Sequence, residues 1–336
     1  MKNDGMNIID EYIAYVRDVR RYSQRTATIY EGVLNDYFRF ASRDGVIASD
    51  EEFSKAFNVS EIRQYEAAML SGNPPMSSRT VNLHLSALSG FCRYLMQNGY
   101  LKSNPVRLVA KPKVEKRIPQ FFRKDAMSKY FETTAHILDE SQFECFASGW
   151  QTATGKKYYE RLLERLLISS LYSLGIRRAE LIGLRIGDVD YGRNVVKVRG
   201  KGDKMREIPL VSSLSEEILL YLKAVETMCG RERSLTEPMF VTYKGSPLYP
   251  NYVDRAVKSA LGDVRAIKGR KSPHVLRHSL ATELMNGDTG LNSIKELLGH
   301  SSLAATQVYT HSSIARLKDS YERAHPRAKN GGKNGD

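Results

Sequence analysis

Among the first hundred residues, apolar positions recur at three- and four-residue spacing, and the strict alternation of a strand is missing, so this stretch reads as all-α. Ile8, Ile9, Tyr12, Ile13 and Val16 mark one helix, and Ser23 is placed to cap a second that carries Ile29, Val33, Leu34, Tyr37 and Phe38. A shorter third helix fits Ser60 to Leu70. The clearest pattern runs from Ser77 or Ser78 to Met96, where Val81, Leu85, Leu88, Phe91, Cys92 and Leu95 form one stripe and Asn98-Gly99 ends it. A stripe of that kind is core.

The pattern breaks between residues 107 and 124, RLVAKPKVEKRIPQFFRK, where prolines 112 and 119 forbid a continuous helix and predict an extended connector. Beyond Phe121 it becomes mixed. A helix around Glu160 to Ser173 precedes a turn at Gly175. Val195 to Arg199 and Arg206 to Leu210 then form a hairpin around Gly200-Lys201-Gly202-Asp203, residues that tolerate a turn's positive φ. Helices dominate from there to Arg323. The expected fold is mainly α with a small β-hairpin or sheet: an all-α domain over 1–106, a linker over 107–120, an α+β domain over 121–325 and a disordered tail over 326–336. The stretch from Tyr130 to Tyr159 carries no recognisable function.

A chain of 336 residues is long enough to bury two cores. Its hydrophobic fraction of 41% and mean hydropathy of −0.42, with no apolar run of bilayer length, exclude a helical membrane protein. Asp4, Asp10 and Glu11 stand where a secretory signal would be apolar, so a cytoplasmic location is expected. Cys92, Cys145 and Cys229 are scattered and read as buried free thiols. The net charge of +13 and pI near 9.5 change the picture more, because they favour a polyanionic partner, nucleic acid ahead of acidic lipid. In that light the connector, with seven basic residues against one acid, becomes a strap along a DNA backbone. Lys111, Lys113, Lys116 and Arg117 are its expected contacts, each displacing condensed counterions.

Four segments carry candidate chemistry: Gly175-Ile-Arg-Arg-Ala-Glu-Leu181, Gly200-Lys-Gly202, His274-Val-Leu-Arg277 with His278, and Leu298-Gly-His-Ser301 followed by Tyr309. They supply guanidiniums, an ammonium, imidazoles and a phenol without an acidic metal cluster, an inventory that suits phosphoryl transfer. A phosphodiester under attack gathers charge on its non-bridging oxygens, which the forks of Arg177 and Arg277 are suited to hold. The leaving 5′-oxygen needs a proton, for which Lys201 is the candidate. A phenol with an ordinary pKa of about 10 needs a base and nearby positive charge, so His274 is the expected proton acceptor for Tyr309 and His300 a donor to the phosphate. Glu180 is read as orienting Arg177 or an imidazole, and His278 as supporting its neighbours. His274 and His278 share a helix face but lack the glutamate and third ligand of a zinc site, so no metal is expected. Gly149 to Lys157 has the wrong glycine spacing for a P-loop, so no nucleotide is expected either. No cofactor is expected.

Taken in order, these segments resemble the tyrosine recombinase (phage integrase) family, and most closely its Xer branch. GIRRAELIGL is similar to the family's first arginine box, with Arg177 rather than Arg178 assigned by its spacing to Glu180. The GKG turn is similar to its β-hairpin lysine motif, HVLRH to its His-x-x-Arg box, and LLGHSSLAATQVYTH to its closing segment, where His300 precedes the nucleophilic tyrosine by nine residues. The resemblance implies a helical core-binding (SAM-like) domain, a linker and a catalytic domain. It also implies cleavage through a 3′-phosphotyrosine and exchange through a Holliday junction without metal or ATP. The implied partners are a double-stranded DNA recombination site, further subunits of a homo- or hetero-tetramer on two sites, and an accessory protein. A helix over Ser313 to Arg323, with Ile314, Leu317 and Tyr321 on one face, is implied to dock on a neighbouring subunit. Resolution of chromosome dimers leads, with a mobile-element integrase or a DNA invertase as alternatives. A catalytically silent DNA-binding protein is the reading from another class.

Overall fold

The computed structural model describes residues 5–41, 56–115, 120–138, 152–200, 203–262, 264, 267, 269–286, 294, 297–299, 321 and 327. The chain divides into two compact units, Met1–Arg117 and Ile118–Asp336.

The first unit is helical. Helix α1 (Gly5–Ala14) continues into a π-helical turn over Tyr15–Val19, and is followed by α2 (Gln24–Ala41), α3 (Val59–Ser71) and α4 (Ser78–Gln97). Their starts follow from local chemistry. Asn58 Oδ1 accepts the Glu61 amide at 2.9 Å, and the Ser77 hydroxyl accepts the Thr80 amide at 3.2 Å, each satisfying an N–H that the helix leaves unpaired. Helix α4 ends at Asn98 and Gly99, the latter at φ 79. Its apolar stripe is the centre of this unit, where Val81, Leu85, Leu88, Phe91, Cys92 and Leu95 are buried with Tyr12, Leu34, Tyr37 and Ile62. Burial pushes the Cys92 thiol up to about 12, leaving it an inert packing group. Cys229 is exposed, against expectation, because it is the last residue of its helix and stands outside the packed stripe.

The expected linker begins later than residue 107. Pro105–Leu108 forms a 3-10 turn, Val106 and Val109 join the core of the first unit, and the Asn82 side chain donates to the Pro112 carbonyl at 2.9 Å. Two apolar side chains and one amide therefore seat the start of the connector on the helices.

In the second unit the helices are α5 (Lys124–Thr133), α6 (Ala153–Leu174), α7 (Arg178–Gly183), α8 (Ser212–Cys229), α9 (Pro250–Ala260) and α10 (Pro273–Asn286). Helix α6 is buried on every side from Arg165 to Leu174, and α8, α9 and α10 each pack against it. Tyr130, Tyr158 and Tyr159, at the ends of the stretch without assigned function, belong to this core. Strands β1 (Val189–Asp190), β2 (Val195–Arg199) and β3 (Met205–Pro209) make one antiparallel sheet in that order. Strand β3 starts one residue before the predicted Arg206. The hairpin closes with the Gly200 amide on the Lys204 carbonyl at 2.8 Å, and Asp203 takes a positive φ of 61. Register then pairs Val198 with Arg206 and Val196 with Ile208.

Arg327 corrects the expectation of a wholly disordered tail. It donates to Glu217 at 2.6 Å and its guanidinium lies 4.1 Å from the centre of the Phe131 ring. Arg165 meets the same carboxylate at 3.1 Å, so a buried acid on α8 recruits both cations. Tyr321 is buried beside them and donates to the Ser173 carbonyl. Ile314 and Leu317 lie outside the described residues.

Candidate active site

Helix α6 ends at Gly175 in the left-handed conformation, φ 58. Glycine is required twice over: the backbone disfavours a side chain, and a Cβ would lie 2.8 Å from Leu280 and 3.0 Å from Leu298. The turn delivers Arg177 to the start of α7, where the Glu180 carboxylate accepts the Arg177 amide at 2.8 Å and its Nη1 at 2.7 Å. Arg178, the next residue, pairs instead with Asp254 on α9. The two neighbouring arginines therefore meet two different carboxylates.

Arg277 enters from α10. It is 8% exposed and donates through Nη1 to the Gly175 carbonyl at 2.7 Å, at the negative end of α6, and through Nη2 to Leu298. Its Nη1 is also 4.0 Å from Glu180. A third arginine completes the cluster. Arg206 on β3 gives Nη1 and Nη2 to the two oxygens of Glu180 at 3.1 and 2.8 Å and Nε to Leu297 at 2.9 Å. Arg177 Nη2 reaches Gly299 at 3.0 Å, so the three consecutive carbonyls of Leu297, Leu298 and Gly299 each accept a hydrogen bond from a different guanidinium.

Three guanidiniums against one carboxylate leave an excess of positive charge, which suits an anion. Burial opposes ionisation of Glu180, yet its hydrogen bonds with Arg206 and Arg177 outweigh it and hold the carboxyl at about 2. Burial, and then the charge of Arg177, brings Arg277 down to about 10, still protonated at neutral pH. His274, in the first turn of α10, is exposed at its surface but partly desolvated by its neighbours, and that desolvation, then Arg178, Arg277, His278 and Arg270, lowers its pKa, which favours the neutral imidazole that a base requires. His278 is exposed one turn further along the same helix.

Residues 147–316 match the phage integrase family, and residues 9–99 match the family's N-terminal SAM-like domain. The chain is 32% identical over 328 residues to the tyrosine recombinase XerC of Chlorobaculum tepidum, covering 95% of this chain and 94% of that one. The chain belongs to the phage integrase family. As a family member it is also 31% identical over 323 residues to the tyrosine recombinase XerC of Bacillus subtilis, covering 96% and 97% of the two chains. Its fold is similar to that of the XerH site-specific recombinase bound to palindromic difH substrate, with a TM-score of 0.60 at 18% identity over 95% of this chain and 96% of that one. It is likewise similar to a lambda integrase tetramer bound to a Holliday junction, with a TM-score of 0.60 at 17% identity over 95% and 78%.

In this phage integrase the structure brings Arg177, Glu180, Arg206 and Arg277 into one hydrogen-bonded cluster, with His274 and His278 exposed on the helix that supplies Arg277. Lys201, His300 and Tyr309 lie outside the described residues, as do Lys116 and Arg117. Lys111 and Lys113 are exposed, and Lys111 lines a concavity of about 450 Å3 with Ser86, Ser89, Arg93 and Arg107 in the first unit. Sequence reasoning missed Arg206. Alternation along β3 carried the signal, because it puts Arg206 on the same face as Ile208, which is buried.

Among the described residues, no helix is long and apolar enough to cross a membrane.

Proposed function

We propose that the protein is a site-specific recombinase of double-stranded DNA that uses Tyr309 as its nucleophile. The Tyr309 oxygen bonds to the scissile phosphorus as the bond to the 5′-oxygen breaks, leaving a 3′-phosphotyrosine. His274 takes the phenol proton, Lys201 protonates the leaving oxygen, and Arg177, Arg277 and His300 hold the non-bridging oxygens. A 5′-hydroxyl from a second duplex then attacks the phosphotyrosine, so the phosphoester energy is retained through a Holliday junction and ATP is not consumed. The observation that carries this reading is the convergence of Arg177 and Arg277, one hundred positions apart, on the adjacent carbonyls of Gly299 and Leu298, immediately before His300.

All six proposed catalytic positions fall within residues 147–316, the stretch that matches the family. The XerC relatives, matched over nearly their whole length, favour a Xer-type recombinase over an integrase or an invertase; in that role the protein would resolve chromosome dimers in the cytoplasm. The solved lambda integrase tetramer on a Holliday junction supports a tetramer on two DNA sites, built from copies of this chain or from this chain and a paralogue; an accessory protein would join that assembly. The basic residues Arg93, Arg107, Lys111 and Lys113, followed by Lys116 and Arg117, would follow the DNA backbone.

A suicide substrate, nicked close to the cleavage position, tests the reading. The wild-type protein will become covalently attached to DNA, and Tyr309→Phe will bind with near-normal affinity and form no adduct. An adduct that persists in Tyr309→Phe overturns the choice of nucleophile.

A further inference from the structure

We infer that Arg206 is a positioning residue of this active site, acting through Glu180 and the Leu297–Gly299 carbonyls rather than on DNA. The inference rests on the reading of the site as that of a recombinase. Arg206 is 6% exposed on the inner face of β3. All three of its nitrogens face protein acceptors: Nη1 and Nη2 meet Glu180 as a fork on a carboxylate, and Nε meets Leu297. One flat face of the guanidinium is covered as well. Gly299, at φ 62, lies so close that a Cβ there would be 3.1 to 3.3 Å from Nη1, Cζ and Nε. With its fork on a carboxylate, its Nε on a carbonyl and Gly299 against it, this guanidinium is committed to protein partners.

What Arg206 does instead follows from the segments it joins. Its own strand continues the hairpin whose connection contains Lys201, Glu180 holds both the amide and the side chain of Arg177, and Leu297 to Gly299 lead into His300. One planar cation therefore fixes three pieces of chain that each carry a proposed catalytic group. It also keeps Glu180 ionised, together with Arg177 from the start of α7 and Arg277 from α10, the other charged groups that face that carboxylate among the described residues. An ionised Glu180 can accept from Arg177, whereas a protonated one would lose its charge and one acceptor site and let the clamp drift. A lysine in place of Arg206 would return the charge but not the fork.

The test compares Arg206→Met, Arg206→Lys and the double variant Arg206→Met/Glu180→Gln with wild type in three measurements. These are the rate of adduct formation on the nicked substrate as a function of pH, the dissociation constant for the intact site, and the thermal midpoint. Arg206→Met should lose about 100-fold in cleavage rate, as expected for a clamp misplaced by about an ångström, with DNA affinity within about threefold of wild type. A second acid limb, that of Glu180, should rise from its wild-type position near 2, below the His274 limb, because burial now acts on Glu180 with two hydrogen bonds fewer. In the double variant that displaced limb should disappear, and Arg206→Lys should recover part of the rate with the limb near its wild-type position.

Wild-type cleavage in Arg206→Met overturns the inference. So does a loss that merely follows the fall in affinity and thermal midpoint with the Glu180 limb unmoved, since that is the mark of a structural arginine. Either result leaves the Tyr309→Phe experiment untouched, so failure here is separable from failure of the recombinase reading.

Discussion

The carbonyl of Gly175 accepts a hydrogen bond from Arg277 Nη1 at 2.7 Å, joining the turn that introduces Arg177 to the helix that carries His274. That turn depends on a residue without a side chain. Gly175→Ala will suffer both the left-handed backbone penalty, about 1–2 kcal/mol, and overpacking against Leu280 and Leu298, about 1–3 kcal/mol. Gly230 has a similar φ of 66 with open space around it, so Gly230→Ala will show the backbone penalty alone. Equal losses for the two variants in urea denaturation would contradict the packing argument.

Cleavage should depend on pH through His274. Partial desolvation of its ring, then the neighbouring Arg178, Arg277, His278 and Arg270, hold its pKa below the usual histidine value, so the neutral, proton-accepting form prevails at neutral pH and is lost only as pH falls below that range. Arg178→Gln removes one of those neighbouring charges and should shift the acid limb of the pH–rate profile upward. No shift, or a downward one, would remove His274 from the role of base.

Glu217→Gln should be among the more destabilising changes in the second unit. It leaves Arg165 and Arg327, whose side chains are 4% and 9% exposed, without the carboxylate that both contact. Breaking such a buried arrangement from one side costs about 3–5 kcal/mol. Arg327→Met should cost less, because Arg165 still neutralises Glu217. Calorimetry or denaturant titration of the two variants gives the order.

Truncation after Ser312 removes Tyr321 and Arg327 together, and with them a buried hydroxyl-to-carbonyl bond and an ion pair. The thermal midpoint of the free protein should fall before any DNA is added. If the segment also docks on a neighbouring subunit, cooperative assembly on DNA will weaken beyond what the loss of stability accounts for. A midpoint equal to that of the full chain would show that the packing of Tyr321 and Arg327 adds nothing to stability.

In the first unit, Arg93→Ala and Lys111→Ala should each weaken DNA binding almost equally for specific and non-specific sequences, and lower the slope of log affinity against log salt by about one. Loss of sequence preference with an unchanged salt slope would instead assign these residues to base contacts.

Periodicity and capping chemistry made much of this fold legible before any coordinates. The stripe on α4, the Ser77 cap and the β2–β3 hairpin depend on residues within a few positions of one another, and local rules govern them. The errors arose where a distant partner decided the outcome. Val109 and Pro112 are held by the helices of the first unit, and Arg327 by an acid more than a hundred positions away. Arg206 was passed over because a lone arginine in a short strand has no motif. Its meaning lies in Glu180 and Leu297, neither of which is near it in the chain.

The sequence by itself determined which chemical groups this protein possesses, the order in which they occur, and that Arg177 rather than Arg178 stands three residues before an acid. Tertiary structure alone decided that Glu180 is shared by Arg177 and Arg206 with Arg277 close by, and that Arg178 turns to Asp254. The physical reason is that hydrogen-bond geometry and burial depend on distance in space, and a buried carboxylate selects its partners from whatever the fold places within reach.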